Sequence, residues 1–184
     1  MKTAFLAFDG CAVWQVALLQ KLLQRNQWAM RTLTLDGIAV HTDGGLGLIP
    51  DGAIETASPR DYNLVLIAGG PVQSDVMTDH RLHRFLRQYD GFRGYLAVAG
   101  EAIAYIADAG LLGGLRFTTT KQFHTKNETL FHGGFYVEEP VCFDGNLISS
   151  DGSDVSEFAQ AVLTLLGLTG EFEIGNDDTG GTKS

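Results

Sequence analysis

The sequence predicts a doubly wound α/β sandwich with a mostly parallel central sheet and helices on both faces. Three observations carry this. Strand-like and helix-like patterns alternate along most of the chain, the signature of strands joined by crossover helices. The run NLVLIA, Asn63–Ala68, is apolar after its first residue and stops at Gly69-Gly70-Pro71. A continuous apolar strand belongs in the middle of a parallel sheet, covered on both faces. Finally, YLAVAGEAIAYIADAGLLGG, Tyr95 to Gly114, reads as a buried strand, a sharp turn at Gly100, a short helix and a glycine stop at Gly110. In α/β proteins a strand-to-helix turn of this kind often presents a nucleophile at the carboxyl edge of the sheet. Here the apex carries none.

The other elements follow from local pattern. Lys2–Phe8 is a short apolar run closed by Asp9-Gly10, a buried strand and a turn. Val13, Val16, Ala17, Leu19, Leu22 and Leu23 recur at helical spacing, which predicts a helix over Ala12–Arg25. Trp28–Leu35 alternates and reads as the second strand. Val40 to Ile54 holds short apolar pieces between turn residues, a hairpin or small strands. Leu82, Phe85, Leu86 and Tyr89 mark one face of a helix from about Asp79 to Tyr89. Phe135–Val137 and Val141–Ile148 are expected to pair as strands around Glu138-Glu139-Pro140 and Asp144-Gly145-Asn146. Asp154 with Glu157 resembles a capping box opening a last helix, whose apolar positions are Val155, Phe158, Ala159, Val162, Leu163 and Leu166. From Thr169 the chain reads as an acidic, glycine-rich extension over 169–184, in which Phe172 and Ile174 are able to dock on the body or on a second subunit.

A chain of 184 residues fits one domain with a full core. No run approaches the roughly 20 apolar residues that span a bilayer. The opening MKTAFLAFDGC has Asp9 inside its apolar stretch and no A-x-A site after it, so it reads as the first strand, and the expected location is cytoplasmic. The net charge of −9 opposes nucleic acid or an anionic membrane as partner, since both attract clustered Lys and Arg. Cys11 and Cys142 alone make neither a disulfide framework nor a zinc ligand set, and no H-x-H or H-x-x-x-H pair points to a metal. Neither a metal nor a cofactor is expected.

Four motifs stand in a fixed order: FDG at Phe8–Gly10, DYNLVLIAGGP at Asp61–Pro71, ADAGLLGGLRFTTT at Ala107–Thr120, and DGNLISSDG at Asp144–Gly152 before an amphipathic helix. Together, over about Lys2 to Gly167, they resemble the ThiJ/PfpI superfamily of intracellular protease-like, chaperone, glyoxalase and amidase-like proteins. The resemblance implies a single flavodoxin-like domain over 1–168, a site at the carboxyl edge of the sheet, and a homodimer. It also implies a cysteine at the apex of the turn, an acid from the first helix region and a histidine after the following helix. This chain has Gly100, Gln15 and Thr120 at those positions. A shift of alignment by one residue brings in no nucleophile, because the neighbours are Ala99, Glu101 and Ala102.

A cysteine attacks only as thiolate, and glycine has nothing to attack with. A side chain at such an apex costs on the order of 1–3 kcal/mol of backbone strain, which glycine avoids. The chain therefore reads as one that keeps the turn and has dropped the reactivity, binding a small polar ligand or a partner protein. The candidate ligand contacts are Gly69, Gly70, Gly100, Glu101, Gln15 and Thr120. By the resemblance, the Gly70 and Glu101 amides stand where an oxyanion hole is formed; the paired glycines equally suit a tight turn. The rival reading is a protease-, amidase- or lyase-like enzyme with a non-standard site of Glu101, Cys11 and His124. Glu101 is either a complement to the helix dipole or a pocket carboxylate. Cys11 is either a buried small hydrophobe or a displaced thiol, and Cys142 reads as core. His124 follows the threonine run and is placed to face the pocket. His80 and His83 read as the solvated face of their helix. A third reading, a chaperone-like protein, would act through exposed surface.

Overall fold

A computed structural model of the chain describes residues 1–168, so the extension expected over 169–184 lies outside the described residues. The first half runs β1 (Lys2–Leu6), α1 (Ala17–Arg25), β2 (Ala29–Thr34), β3 (Val40–His41), β4 (Gly47–Leu48), β5 (Gly52–Ala53), β6 (Leu64–Ile67), α2 (Ser74–Met77) and α3 (His80–Asp90). It continues with β7 (Tyr95–Ala99), α4 (Ile103–Asp108), β8 (Arg116–Phe117), α5 (Lys121–Lys126), β9 (Phe135–Tyr136), β10 (Val141–Asp144), β11 (Leu147–Ser150) and α6 (Val155–Leu165).

Seven strands form the main sheet in the order β10-β11-β7-β6-β1-β2-β5. Every neighbour pair is parallel except β10–β11. Successive side chains of a strand point to opposite faces, so the central strands feed two cores. Ala4, Leu6, Val65, Ile67, Leu96 and Val98 pack with Leu82, Phe85, Leu86, Ile103 and Ile106 of α3 and α4. Phe5, Leu64, Leu66 and Ala97 pack on the other face with Leu19, Leu23, Phe158 and Val162 of α1 and α6. Burial of each large apolar side chain stabilises the fold by about 1.5–3 kcal/mol. This explains why β6 and β7 carry unbroken apolar runs. Among the described residues no helix is long and apolar enough to cross a membrane.

Three expectations need correction. The helix predicted over Ala12–Arg25 is broken. One 3₁₀ turn covers Val13–Gln15, and α1 starts only at Ala17. The segment before it is tied to other loops: the Gly10 N–H donates to His41 O at 2.6 Å and the Ala12 N–H to Gly69 O at 2.8 Å. Those ties hold Gln15 at the carboxyl edge of the sheet. Secondly, Phe135–Val137 does not pair with Val141–Ile148. β9 pairs in parallel with β8 in a separate ribbon, while β10 and β11 form a hairpin closed by Gly145-Asn146. Gly145 has φ +60, which suits a two-residue turn inside the stretch read as one strand. Thirdly, His83 is not solvated: its Nε2 lies 2.7 Å from Met77 O and 3.0 Å from Asp108 Oδ2. The expected cap of the last helix is present, with Asp154 Oδ1 accepting from the Ser156 and Glu157 amides at 3.0 and 2.8 Å.

Candidate functional site

β7 runs straight to Ala99 (φ −106, ψ 145), and the chain then turns sharply at Gly100, φ +58, into a 3₁₀ turn and α4. Gly100 is thus the apex of a strand-to-helix corner at the carboxyl end of a central strand. Its φ lies in the left-handed region that L side chains enter only with strain.

The space in front of the apex is filled by Gln15. The Gly69 N–H donates to Gln15 Oε1 at 3.0 Å. A Cβ at Gly100 would stand 3.3 Å from both Nε2 and Oε1 of Gln15. A Cβ at Gly152 would stand 2.6 Å from Nε2, and one at Gly69 would fall on Oε1. The carboxamide is therefore seated among three chain segments, following β6, β7 and β11, that approach it closely because each has glycine there. Gly152 was not singled out from the sequence. Its place in the DGNLISSDG block was visible, but its contact with a residue near the start of the chain was not.

The Gly100 carbonyl accepts a hydrogen bond from Thr119 Oγ1 at 2.9 Å, and both residues are buried. Thr118 is anchored as well, its N–H donating to Ser149 Oγ at 2.9 Å. The expected residue, Thr120, does something else: its Oγ1 accepts from the Phe123 N–H at 3.2 Å and caps α5. So the threonine that touches the apex is one position earlier than the one singled out.

Glu101 follows the apex and is half-buried. Burial pushes its carboxyl up from the usual range, and the charge of Lys126, on α5, works against that. Its N–H lies in the first turn after the corner, where backbone amides have no acceptor within the helix. Gly70 lies beside the start of the chain's second segment: a Cβ there would stand 3.1 Å from Cys11 Cα. Cys11 is buried, and burial raises its thiol pKa, with the Asp43 and Asp9 charges adding to the rise. It is a protonated thiol at neutral pH, not a poised thiolate. His124 stacks on Tyr136, ring centroids 4.0 Å apart at 12°, and also on Phe131 at 5.6 Å. Its ring is one wall of an aromatic cluster under α5. Cys142 is buried, as expected for core.

The structure therefore gathers Gln15, Gly69 and Gly100, adds Gly152 and Thr119, and sets Gly70 next to Cys11. Among the described residues no group of three or more His, Cys, Asp or Glu is placed to hold a metal ion.

The family model of the DJ-1/PfpI family matches residues 1–165. No curated protein matches the chain. Among solved structures, a DJ-1 superfamily protein from Agrobacterium tumefaciens superposes with a TM-score of 0.80 at 24% identity, over 92% of each chain. A two-domain protein of Anabaena variabilis, with DJ-1/ThiJ/PfpI-like and ferritin-like domains, gives a TM-score of 0.83 at 21% identity, covering 94% of this chain and 51% of that one. This chain thus spans about half the length of that protein. DJ-1beta of Drosophila melanogaster gives 0.75 at 20% identity, over 92% and 98% of the two chains. The likeness to these structures speaks for the fold, and the family model covers every strand of the sheet. The chain belongs to the DJ-1/PfpI family.

Proposed function

We propose that this protein binds a small, neutral, polar ligand at the carboxyl edge of its sheet and does not use cysteine chemistry at the turn. The observation that carries this reading is the apex itself: Gly100 at φ +58 with the Gln15 carboxamide packed in front of it. Covalent attack has no atom to start from there. Cys11, the nearest thiol in the chain to the Gly70 loop, is buried and held protonated. What remains is recognition. The Gly70 and Glu101 amides are donors for a ligand carbonyl, as in an oxyanion hole without its nucleophile. When ionised, the Glu101 carboxyl puts negative charge at the same corner, which disfavours a phosphate or carboxylate ligand.

The protein acts as a homodimer on this reading. Trp14, Ile38, Leu46 and Ile49 are 57%, 65%, 70% and 87% exposed. The Trp14 Nε1–H donates to Asp43 Oδ2 at 3.0 Å, which ties Trp14 to the turn of the β3–β4 hairpin and its flanking Ile38 and Ile49. Burying these four exposed side chains is what a second copy docked on this face would supply.

One observation favours the rival, enzymatic reading: Glu101 is a half-buried carboxyl with a raised pKa beside the apex, the profile of an acid–base group. Two measurements separate the readings. Scanning calorimetry with small neutral amides is expected to show saturable stabilisation, and hydrolysis of p-nitrophenyl acetate is expected to stay at the buffer rate. Turnover that disappears in Glu101→Gln or Cys11→Ser would establish the enzyme instead.

A further inference from the structure

A cavity of about 670 Å³ opens at the opposite end of the sheet, where β1, β2, β6 and β7 begin. Its size falls inside the roughly 300–1,000 Å³ of small-molecule sites. Trp28 and Leu165 supply apolar surface, Tyr62 and Phe92 supply aromatic faces, and Arg60 and Arg93 supply positive charge. Among the described residues no Asp or Glu lines it.

The two arginines are the unusual feature. The Arg60 guanidinium lies 4.5 Å over the Phe92 ring. Phe92 is 45% exposed, and both members of the pair line the cavity. Arg93, next in the chain, holds its backbone at φ +55, a region that a bulky residue occupies at a cost. No ion pair among the described residues involves Arg60 or Arg93. In a chain of net charge −9, acceptors for guanidinium are abundant. Among the described residues neither guanidinium has a carboxylate partner, and both arginines line the same cavity as Tyr62 and Phe92, in place to meet an external anion.

We propose that this cavity binds a small aromatic carboxylate, its ring against Phe92 and Tyr62 and its carboxylate between Arg60 and Arg93. The planar guanidinium matches a carboxylate with two parallel hydrogen bonds, and stacks on aromatic rings. A phosphate is the poorer fit. α1, α3 and α6 all finish at this end of the sheet, and their carboxyl termini carry partial negative charge that opposes a dianion. The same helix ends provide the competing explanation, that the arginines merely complement those dipoles.

The probe is 2-naphthoate, titrated into the full 184-residue chain and followed by ¹H–¹⁵N NMR, with neutral 2-naphthamide as its control. Saturable shifts are expected to centre on the Asn63 and Phe92–Tyr95 amides. Losing the charge on either side, in 2-naphthamide or in Arg60→Gln/Arg93→Gln, is expected to weaken binding about tenfold or more. Equal affinity for the two probes overturns the proposal, as do shifts centred on Gly70 and Gly100 or unchanged binding by the folded double variant. If that variant does not fold, the comparison of the two probes on the unaltered protein decides.

Discussion

Replacing Gly100 by cysteine puts sulfur at the corner of the sheet and tests whether the rest of the site still supports chemistry there. The structure gives the cost. The new Cβ would stand 3.3 Å from Gln15 Nε2 and Oε1 and 3.6 Å from Gly69 Cα, so the Gln15 carboxamide must give by a few tenths of an ångström. The backbone sits at φ +58, where a side chain costs about 1–2 kcal/mol. Together the two effects amount to about 1–3 kcal/mol. For a domain of this size each kcal/mol lowers Tm by about 2–4 °C, so a fall of about 2–12 °C is expected by scanning calorimetry. The thiol gains little activation in return. Its neighbour is the neutral amide of Gln15, Thr120 is engaged in capping α5, and an ionised Glu101 next to it favours the protonated form. The rate of iodoacetamide alkylation against pH, read by peptide mass spectrometry, is expected to place the new thiol in or above the ordinary cysteine range. Hydrolysis of p-nitrophenyl acetate is expected to stay at the buffer rate. A variant as stable as the parent whose thiol is ionised below about pH 7 would refute this reasoning, and so would a large gain in turnover.

Other sites give independent tests. Thr3 Oγ1 is buried with no hydrogen-bond partner among the described residues, so Thr3→Val is expected to stabilise by about 1 kcal/mol, read from the urea midpoint; clear destabilisation would show that the hydroxyl is satisfied. Asp79 caps α3 through the Arg81 N–H at 2.7 Å, and its hydrogen bonds to the Arg81 side chain hold its pKa at about 2. A pKa depressed on folding stabilises above the unfolded value of about 3.9 and ceases to do so as pH falls through the folded one. Asp79→Ala is therefore expected to cost about 0.5–2 kcal/mol at pH 6, with the gap narrowing between about pH 4 and pH 2; a gap that stays constant would contradict the charge pairing. Ile49→Asp is expected to convert a dimer to a monomer in sedimentation equilibrium without changing the circular dichroism spectrum, and an unchanged mass would remove the β3–β4 patch from the interface.

Local pattern revealed what depends on near neighbours. β1, β6 and β7 were legible because both faces of each are covered, which forces continuous apolar runs. The turn at Gly100 was legible because strand, glycine and helix are adjacent in the chain. Where the outcome depends on distant partners, the sequence was silent or misleading. The break before α1 comes from bonds to His41 and Gly69, which no periodicity records. α5 has a single apolar residue, Phe123, packed on Phe131, which is too little for a helical period, and only the Thr120 cap marks it. The Asp144-Gly145 turn was visible, but it closes a hairpin inside the Val141–Ile148 stretch instead of ending it. His83 lies on a polar helical stripe, yet Asp108 from α4 meets it. At the site, Gln15 was recognised by its position; that its carboxamide fills the space between Gly69, Gly100 and Gly152 is a tertiary fact.

The most direct test of the central claim is intact-protein and peptide mass spectrometry after incubation with p-nitrophenyl acetate, an activated acyl donor, at neutral pH. No acyl adduct is expected on residues 95–114 and none on Cys11 while the protein is folded. An adduct on either, formed and released at the rate of nitrophenol production, would show that this site carries a working nucleophile.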